Sequence, residues 1–370
     1  MRDLAGQLRR WHAANTRYAL ATVIGVRGSA PRPIGTTMAV DAAGSVCGSL
    51  SGGCVEAEVY ELCLEVLQTG VPVRKTFGYS DSSAFAVGLN CGGELEVFVH
   101  RVTAAEFPVV AAALDIETPV AWVRDVESGA VLAVRADRAI GAGFDIEGAD
   151  LAVVRLARDL LDTGSSGIRV LGCGDRERTV FVHSFAPPPR MIVFGATDFA
   201  IALCAVGRLL GYRVTVCDAR RTFLDPDRFA AAHEVVVDWP HRYLSNTAVD
   251  ARTAICVLSH DPKFDIPVLA QALRLPVAYV GALGSRRADR ERRAELRAAG
   301  ITERQLRQLR SPIGLELGGR TPEETALAIG AEIIALRRGG SATPLSQTER
   351  PIHGPEVPAR LPEAGGYLNG

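Results

Sequence analysis

The sequence predicts an α/β chain in which an N-terminal α+β domain is followed by a doubly wound parallel-sheet domain. Three observations carry that reading. The run Ala186-Pro187-Pro188-Pro189-Arg190 offers few backbone donors and favours extended geometry, so it divides the chain as a linker. Before it, short strands joined by tight turns are interleaved with helices, the pattern of an α+β domain. After it, continuous apolar, β-branched runs alternate with helical segments, the pattern of a parallel sheet covered on both faces. The expected divisions are 1–186, a linker at 187–190, a second domain at 191–338 and a proline-rich extended tail at 339–370.

In the first domain, residues 18–26 and 37–40 read as strands, and a turn at 41–44 leads to another strand over 45–50. Residues 120–126 and 131–134 flank Glu127-Ser128-Gly129, a hairpin signal. A helix from about 53 to 67 sets Val55, Val59, Leu62, Cys63 and Val66 on one face and Glu56, Glu58, Glu61 and Glu65 elsewhere. In the second domain, strands are expected at 191–195, 213–217, 234–237, 254–258 and 277–280, separated by helices at 199–210, 223–232, about 264–274 and 285–298. The last helix opens at Thr321-Pro322-Glu323-Glu324, with a threonine N-cap, proline at N1 and glutamate at N3, and should bury Leu327, Ala331 and Ile334. This rhythm is Rossmann-like.

Composition narrows the function classes. The 370 residues include 41 basic and 42 acidic side chains, a net charge of −1 that excludes a basic nucleic-acid surface. A 48% apolar and 22% charged composition is that of a globular protein with ample core. No run approaches the ~18–20 apolar residues of a membrane span. The first residues carry Arg2, Arg9 and Arg10 without an apolar stretch, so no secretory signal is read there. No two cysteines have C-x-x-C spacing and no Cys/His cluster resembles a zinc site, so reduced thiols and a cytoplasmic setting are expected.

Ligands of a doubly wound sheet bind beyond the carboxyl ends of its strands. The first strand delivers Gly195-Ala196-Thr197-Asp198-Phe199-Ala200, which matches G-x-G-x-x-G/A at its first and last positions and has Thr197 in the middle one. Asp218 ends the second strand, where an acid would meet a ribose hydroxyl; a turn glycine and a capping aspartate are the plainer alternative. His260 follows the fourth strand beside Asp261, which could orient its ring for proton transfer, although a lone histidine is more often structural. After the fifth strand, Gly281-Ala282-Leu283-Gly284-Ser285-Arg286-Arg287 places glycines, a capping serine and arginines at a helix N-terminus. Cations oppose the helix dipole there unless an anion joins them, which points to phosphate binding; pairing with Asp289, Glu291 and Glu295 is the competing account. In the first domain, Arg27 and Arg32 sit in a rigid basic loop ending at Gly35. Ser51-Gly52-Gly53-Cys54-Val55-Glu56 opens a helix, where the dipole and free N–H groups favour a thiolate at Cys54. Cys91-Gly92-Gly93 repeats the pairing, so Cys91 ranks second, while Cys63, Cys204, Cys217 and Cys256 lie on apolar faces and read as core.

These motifs resemble the XdhC/CoxI family. The residues that carry the resemblance are G-S-x-P-R-x-x-G from Gly28, G-G-C-x-E from Gly52, C-G-G from Cys91, Y-x-G-x-L-G-S-R-R from Tyr279 and S-P-I-G-L-x-L-G-x-R-T-P-E-E from Ser311. They span residues 17–338 in order, and the tail lies outside. The resemblance implies a cytoplasmic chaperone, a maturation factor for molybdenum cofactor (molybdopterin or its dinucleotide form). Its client would be a xanthine dehydrogenase-type or carbon monoxide dehydrogenase-type apo-molybdenum hydroxylase, with a cysteine desulfurase as sulfur donor; separately, the chain is expected to be a homo-oligomer. It places Cys54 near the metal with Cys91 second, Gly281, Gly284, Ser285 and Arg286 at the phosphate end, and Arg27 and Arg32 as auxiliary anion contacts. Thr197 and Ala200 stand where family members usually carry glycines, and Ser51 replaces the first glycine before the cysteine. The alternatives are an NAD(P)-dependent oxidoreductase, with His260 as its proton donor, and a non-catalytic nucleotide-binding regulatory protein.

Overall fold

Alternation along one strand organises the N-terminal half. In β1 (Tyr18–Arg27), Tyr18, Leu20 and Ile24 join clusters on one side, and Ala19, Ala21 and Val23 join another. A strand apolar on both faces needs a layer on each. The computed structural model describes residues 1–28, 32–53, 55–78, 93–115, 118–141, 143, 149–171 and 177–349. They form two compact units, built on Met1–Pro187 and Pro188–Thr348.

The first unit runs α1 (Ala5–Ala13), β1, β2 (Thr37–Asp41), β3 (Val46–Gly48), α2 (Glu56–Thr69), β4 (Val73–Phe77), β5 (Glu94–Val102) and α3 (Phe107–Leu114). It continues with β6 (Val120–Asp125), β7 (Val131–Val134), β8 (Ala139–Ile140), α4 (Ala149–Thr163), β9 (Gly167–Leu171) and β10 (Arg178–Phe185). Two antiparallel sheets result, ordered β3-β2-β1-β5-β4 and β8-β7-β6-β10-β9. Both therefore follow one plan: three strands, a helix, then two strands returning beside the first. Val59, Cys63 and Val66 of α2 cover one face of the first sheet. Val153, Ala157, Leu160 and Leu161 of α4 cover one face of the second. The opposite faces share clusters that contain Leu20, Ile24, Phe98, Trp122, Phe181 and Phe185, with Leu8 and Trp11 of α1 and Val109 and Val110 of α3.

The second unit comprises β11 (Arg190–Phe194), α5 (Asp198–Leu209), β12 (Arg213–Asp218), β13 (Glu234–Val237), α6 (Pro240–Asn246), β14 (Ala254–Val257), α7 (Pro262–Ala272), β15 (Tyr279–Ala282), α8 (Arg286–Ala298), α9 (Glu303–Leu306), β16 (Leu309–Arg310) and α10 (Pro322–Arg338). Its sheet is ordered β13-β12-β11-β14-β15-β16, and every pairing is parallel. The chain winds outward from β11 to β13, then crosses to β14 and winds the other way. The direction of winding therefore reverses between β11 and β14, the place where doubly wound sheets open a crevice. Among the described residues, no helix is long and apolar enough to cross a membrane.

Two expectations about this unit are corrected. Residues 223–232 form no α-helix; a 3-10 turn at Arg221–Phe223 is followed by turns. Pro226 lies between Asp225 and Asp227, and the Asp225 carboxylate accepts the Asp227 N–H at 3.0 Å, a local bond that competes with helix. The buried stripe of α10 is Ala326, Ile329, Gly330 and Ile333, whereas Leu327 and Ile334 are 55% and 38% exposed. Gly330 decides that rotation. It faces α5 so closely that a Cβ would lie 2.7 Å from Val206 Cγ1. The capping box at Thr321 and Glu324 forms as expected.

Candidate functional site

At the switch point the backbone itself sets the geometry. Gly195 has φ +107°, and a Cβ there would sit 2.6 Å from the Ser259 nitrogen, so the loops after β11 and β14 touch only because this residue lacks a side chain. Thr197, in the place of the second fingerprint glycine, is the N-cap of α5 and accepts the Ala200 N–H at 3.3 Å. Ala200 is fully buried.

Asp218 ends β12 as expected but is turned inward, 3% exposed. Its Oδ2 accepts the Ala196 N–H at 2.8 Å, and its Oδ1 accepts the Arg220 N–H at 2.8 Å. The Arg220 guanidinium completes a two-pronged pair, Nε to Oδ1 at 3.0 Å and Nη2 to Oδ2 at 2.8 Å. Burial alone would raise this carboxyl's pKa, but the bonds from Arg220 and Ala196 outweigh it and hold it below the usual range. The acid expected to meet a ligand is thus committed to the loop, and Arg220 is the half-exposed member of the pair.

On the β14 and β15 side, a buried guanidinium joins three loops. Arg292 of α8 is 7% exposed; its Nη2 donates to the Leu283 carbonyl at 2.8 Å and its Nη1 to Ser311 Oγ at 2.9 Å. Nη2 also lies 3.5 Å from Asp265 Oδ2. Asp265 is buried in turn and accepts the Ser259 hydroxyl. Burial pushes the Asp265 carboxyl up, and the bonds from Ser259 and Arg292 only partly offset it. This network borders a cavity of about 200 Å³ whose lining includes His260, Asp265, Gly284, Arg292 and Glu295. His260 is exposed. Asp261 is not its orienting acid: it caps α7, accepting the Lys263 N–H at 3.1 Å and pairing with Lys263 Nζ at 3.1 Å.

The Gly281–Arg287 stretch divides by task. Gly281 lies inside β15, where a Cβ would sit 2.5 Å from Ile313 Cδ1, so it serves packing beneath the crevice. Ser285 caps α8, accepting the Ala288 N–H at 3.1 Å, and Gly284 precedes it at the cavity edge. Arg287 pairs with Glu291 at 2.9 Å, Arg293 with Asp289 at 3.0 Å, and Arg292 turns inward. Arg286 and Arg290, one turn apart, are exposed and have no hydrogen bond or ion pair among the described residues. The competing account of paired charges therefore holds for Arg287 and Arg293, not for Arg286.

In the first unit, Cys54 and Cys91 lie outside the described residues. Glu56, the first residue of α2, accepts hydrogen bonds from the hydroxyls of Ser49 (2.7 Å) and Ser51 (2.6 Å). It also accepts the N–H groups of Leu50 (3.0 Å), Ser51 (2.8 Å), Gly52 (3.0 Å), Gly53 (2.8 Å) and Val55 (3.2 Å). Desolvation opposes the charge, yet the Ser51, Ser49 and backbone bonds prevail and hold this carboxyl far below its ordinary value. The N–H groups expected to favour a thiolate thus already surround a carboxylate. Arg27 is exposed and lies 3.8 Å from Glu94, and Arg32 is exposed with no hydrogen bond or ion pair among the described residues. Burial pushes the thiols of Cys63, Cys204 and Cys217 up to about 12, in keeping with core roles. No group of three or more metal-ligating side chains occurs among the described residues.

Sequence reasoning missed Arg292, Asp265, Ser259, Arg220 and the anchoring role of Glu56. Arg292 carried a signal: it falls four residues before the apolar Leu296 and four after Ala288, on the inward stripe of an otherwise charged helix.

Comparison with known proteins gives two family matches, "XdhC Rossmann domain" over residues 191–333 and "XdhC and CoxI family" over residues 11–78. The chain is 28% identical over 324 residues to a probable xanthine dehydrogenase subunit from Bacillus subtilis, covering 86% of this chain and 93% of that protein. It is 26% identical over 318 residues to the molybdenum cofactor insertion chaperone PaoD of Escherichia coli, covering 86% and 83%. A crystal structure described as a xanthine dehydrogenase from Bacillus halodurans shares the fold, with TM-score 0.63 and 23% identity over 92% of this chain and 98% of that one.

Proposed function

The chain belongs to the XdhC and CoxI family, and on that premise we propose that it binds molybdenum cofactor and inserts it into a xanthine dehydrogenase-type molybdoenzyme. The observation that carries the reading is the match to an insertion chaperone along 86% of this chain; the exposed Arg286 and Arg290 at the start of α8 support it. The cargo is a pterin dithiolene bearing phosphate. Arg286 and Arg290, which have no ion pair among the described residues, meet that phosphate with the first N–H groups of the helix. Arg292 and Asp265 hold the loops in register. The family resemblance assigns Cys54 to the metal, with Cys91 second, and Arg27 and Arg32 as auxiliary anion contacts. A cysteine desulfurase is the sulfur source, and the apo-molybdenum hydroxylase is the acceptor.

Reconstitution tests this. Chain isolated with its cargo and mixed with the apoenzyme is expected to restore activity, while Cys54→Ser retains its melting temperature but loses most of its molybdenum. Arg286→Ala with Arg290→Ala should lower pterin retention roughly tenfold, about the worth of one charge-assisted hydrogen bond. A loaded chain that fails to activate the apoenzyme would overturn the delivery role.

A further inference from the structure

The two antiparallel sheets of the first unit meet through the side chains that alternate inward along β1, β5, β6 and β10. Most are apolar, but four polar ones share that seam. Thr22 lies between Leu20 and Ile24 on the inward face of β1, and His100 stands two residues from Phe98 on β5. Trp122 and Arg124 come from β6, so both sheets contribute. Each of the four is 3% exposed. The Arg124 guanidinium lies over the Trp122 ring, Cζ to centroid 4.8 Å, and 5.9 Å from the Phe98 ring. His100 stacks on Phe98 at 5.7 Å and lies edge-on to Trp122 at 6.1 Å, centroid to centroid.

Buried polar groups in native folds are met by a protein partner, water or an ion. Here Thr22 Oγ1, both ring nitrogens of His100, Trp122 Nε1 and both Nη atoms of Arg124 have no hydrogen-bond partner among the described residues. Glu106 falls short of being one. It stays 3.8 Å from Arg124 Nη2, and its Oε2 accepts the Thr103 N–H and hydroxyl. The two rings attract the Arg124 charge but give its N–H groups no lone pair. Burial therefore outweighs Glu106 and draws the guanidinium pKa down to about 9. The same burial, with Arg124 beside it, holds His100 well below its ordinary value, so its ring is neutral.

The imbalance has a sign. Arg124 and Trp122 can only donate, whereas Thr22 and a neutral His100 can do both. Water brings as many donors as acceptors, so hydration alone leaves the excess of donors in place. A species that only accepts removes it. One guanidinium, already close to a carboxylate, balances a single negative charge and not two. We propose that this seam binds one small monovalent anion of the halide class, held by Arg124, Trp122, Thr22 and His100, and that the ion pins the two sheets together. The pin acts on the first unit with or without cargo.

Thermal melting of the full chain in sodium chloride and in sodium gluconate, at equal sodium concentration, tests the site. The midpoint of the first unit is expected to rise saturably with chloride, on the order of 5 °C once chloride exceeds its Kd a hundredfold, and gluconate, a far larger anion, should not reproduce the rise. Thr22→Val and Trp122→Phe each remove one donor at similar shape. Each should weaken the chloride effect about tenfold, while the midpoint in gluconate does not fall. Iodide, which quenches indole on contact, gives a second reading. Quenching of the native chain should contain a saturable part that Trp122→Phe abolishes, set against the linear collisional quenching of the 41% exposed Trp239. A midpoint that follows chloride and gluconate alike would overturn the site and leave the seam to water. Equal chloride dependence in the native chain and both variants would overturn it as well, by placing the ion elsewhere.

Discussion

Arg292→Leu is expected to destabilise the second unit by about 3–5 kcal/mol, because it strands a buried carboxylate. Asp265 would keep only the Ser259 hydroxyl, and the Leu283 carbonyl and Ser311 hydroxyl would lose their donor. Urea unfolding of the single variant measures this. Adding Asp265→Leu to it should recover most of the loss, since a buried pair exchanged for apolar groups is often near neutral. Arg287→Ala, which removes an exposed pair on the same helix, should leave the unfolding midpoint unmoved. Equal effects of the Arg292 and Arg287 variants would show that the inward guanidinium does not brace the crevice.

Glu56→Ala is expected to cost the first unit about 2–4 kcal/mol and to lower its melting temperature on the order of 10 °C. Seven donors converge on this side chain, from residues 49–53 and 55, and water must replace it for each of them. The sign of the pH effect follows from the depressed pKa. The stability Glu56 supplies is fully present above its ordinary value of 4.5 and is lost progressively as pH falls from there toward its lower value in the fold. A melting profile from pH 7 to pH 3 should therefore decline more steeply in the native chain than in Glu56→Gln, where no carboxylate remains to protonate. Parallel profiles would contradict the nest around Glu56.

The parallel sheet was legible because each of its strands is a short apolar, β-branched run bounded by helix, and such runs have few other stable uses. The turn glycine at Gly195 and the caps at Ser285 and Thr321 followed from local chemistry that depends on near neighbours only. What the sequence concealed depends on residues far apart in the chain. The inward rotation of α10 turns on Gly330 meeting Val206, and the brace formed by Arg292 links residues 259, 265, 283 and 311. Asp218 was placed correctly at the end of its strand, yet only the fold reveals that Ala196 and Arg220 claim both its oxygens. The doubled plan of the first unit left no mark as a sequence repeat, since sheet order is set by pairing geometry and not by residue identity.

Cargo binding is the claim on which the rest depends. Isolation of the chain from cells that synthesise molybdenum cofactor, followed by quantification of bound pterin and molybdenum, tests it most directly. The predicted result is pterin and molybdenum in a near one-to-one ratio, with molybdenum lost in Cys54→Ser. Tight binding and turnover of NAD(P) with no pterin would contradict it.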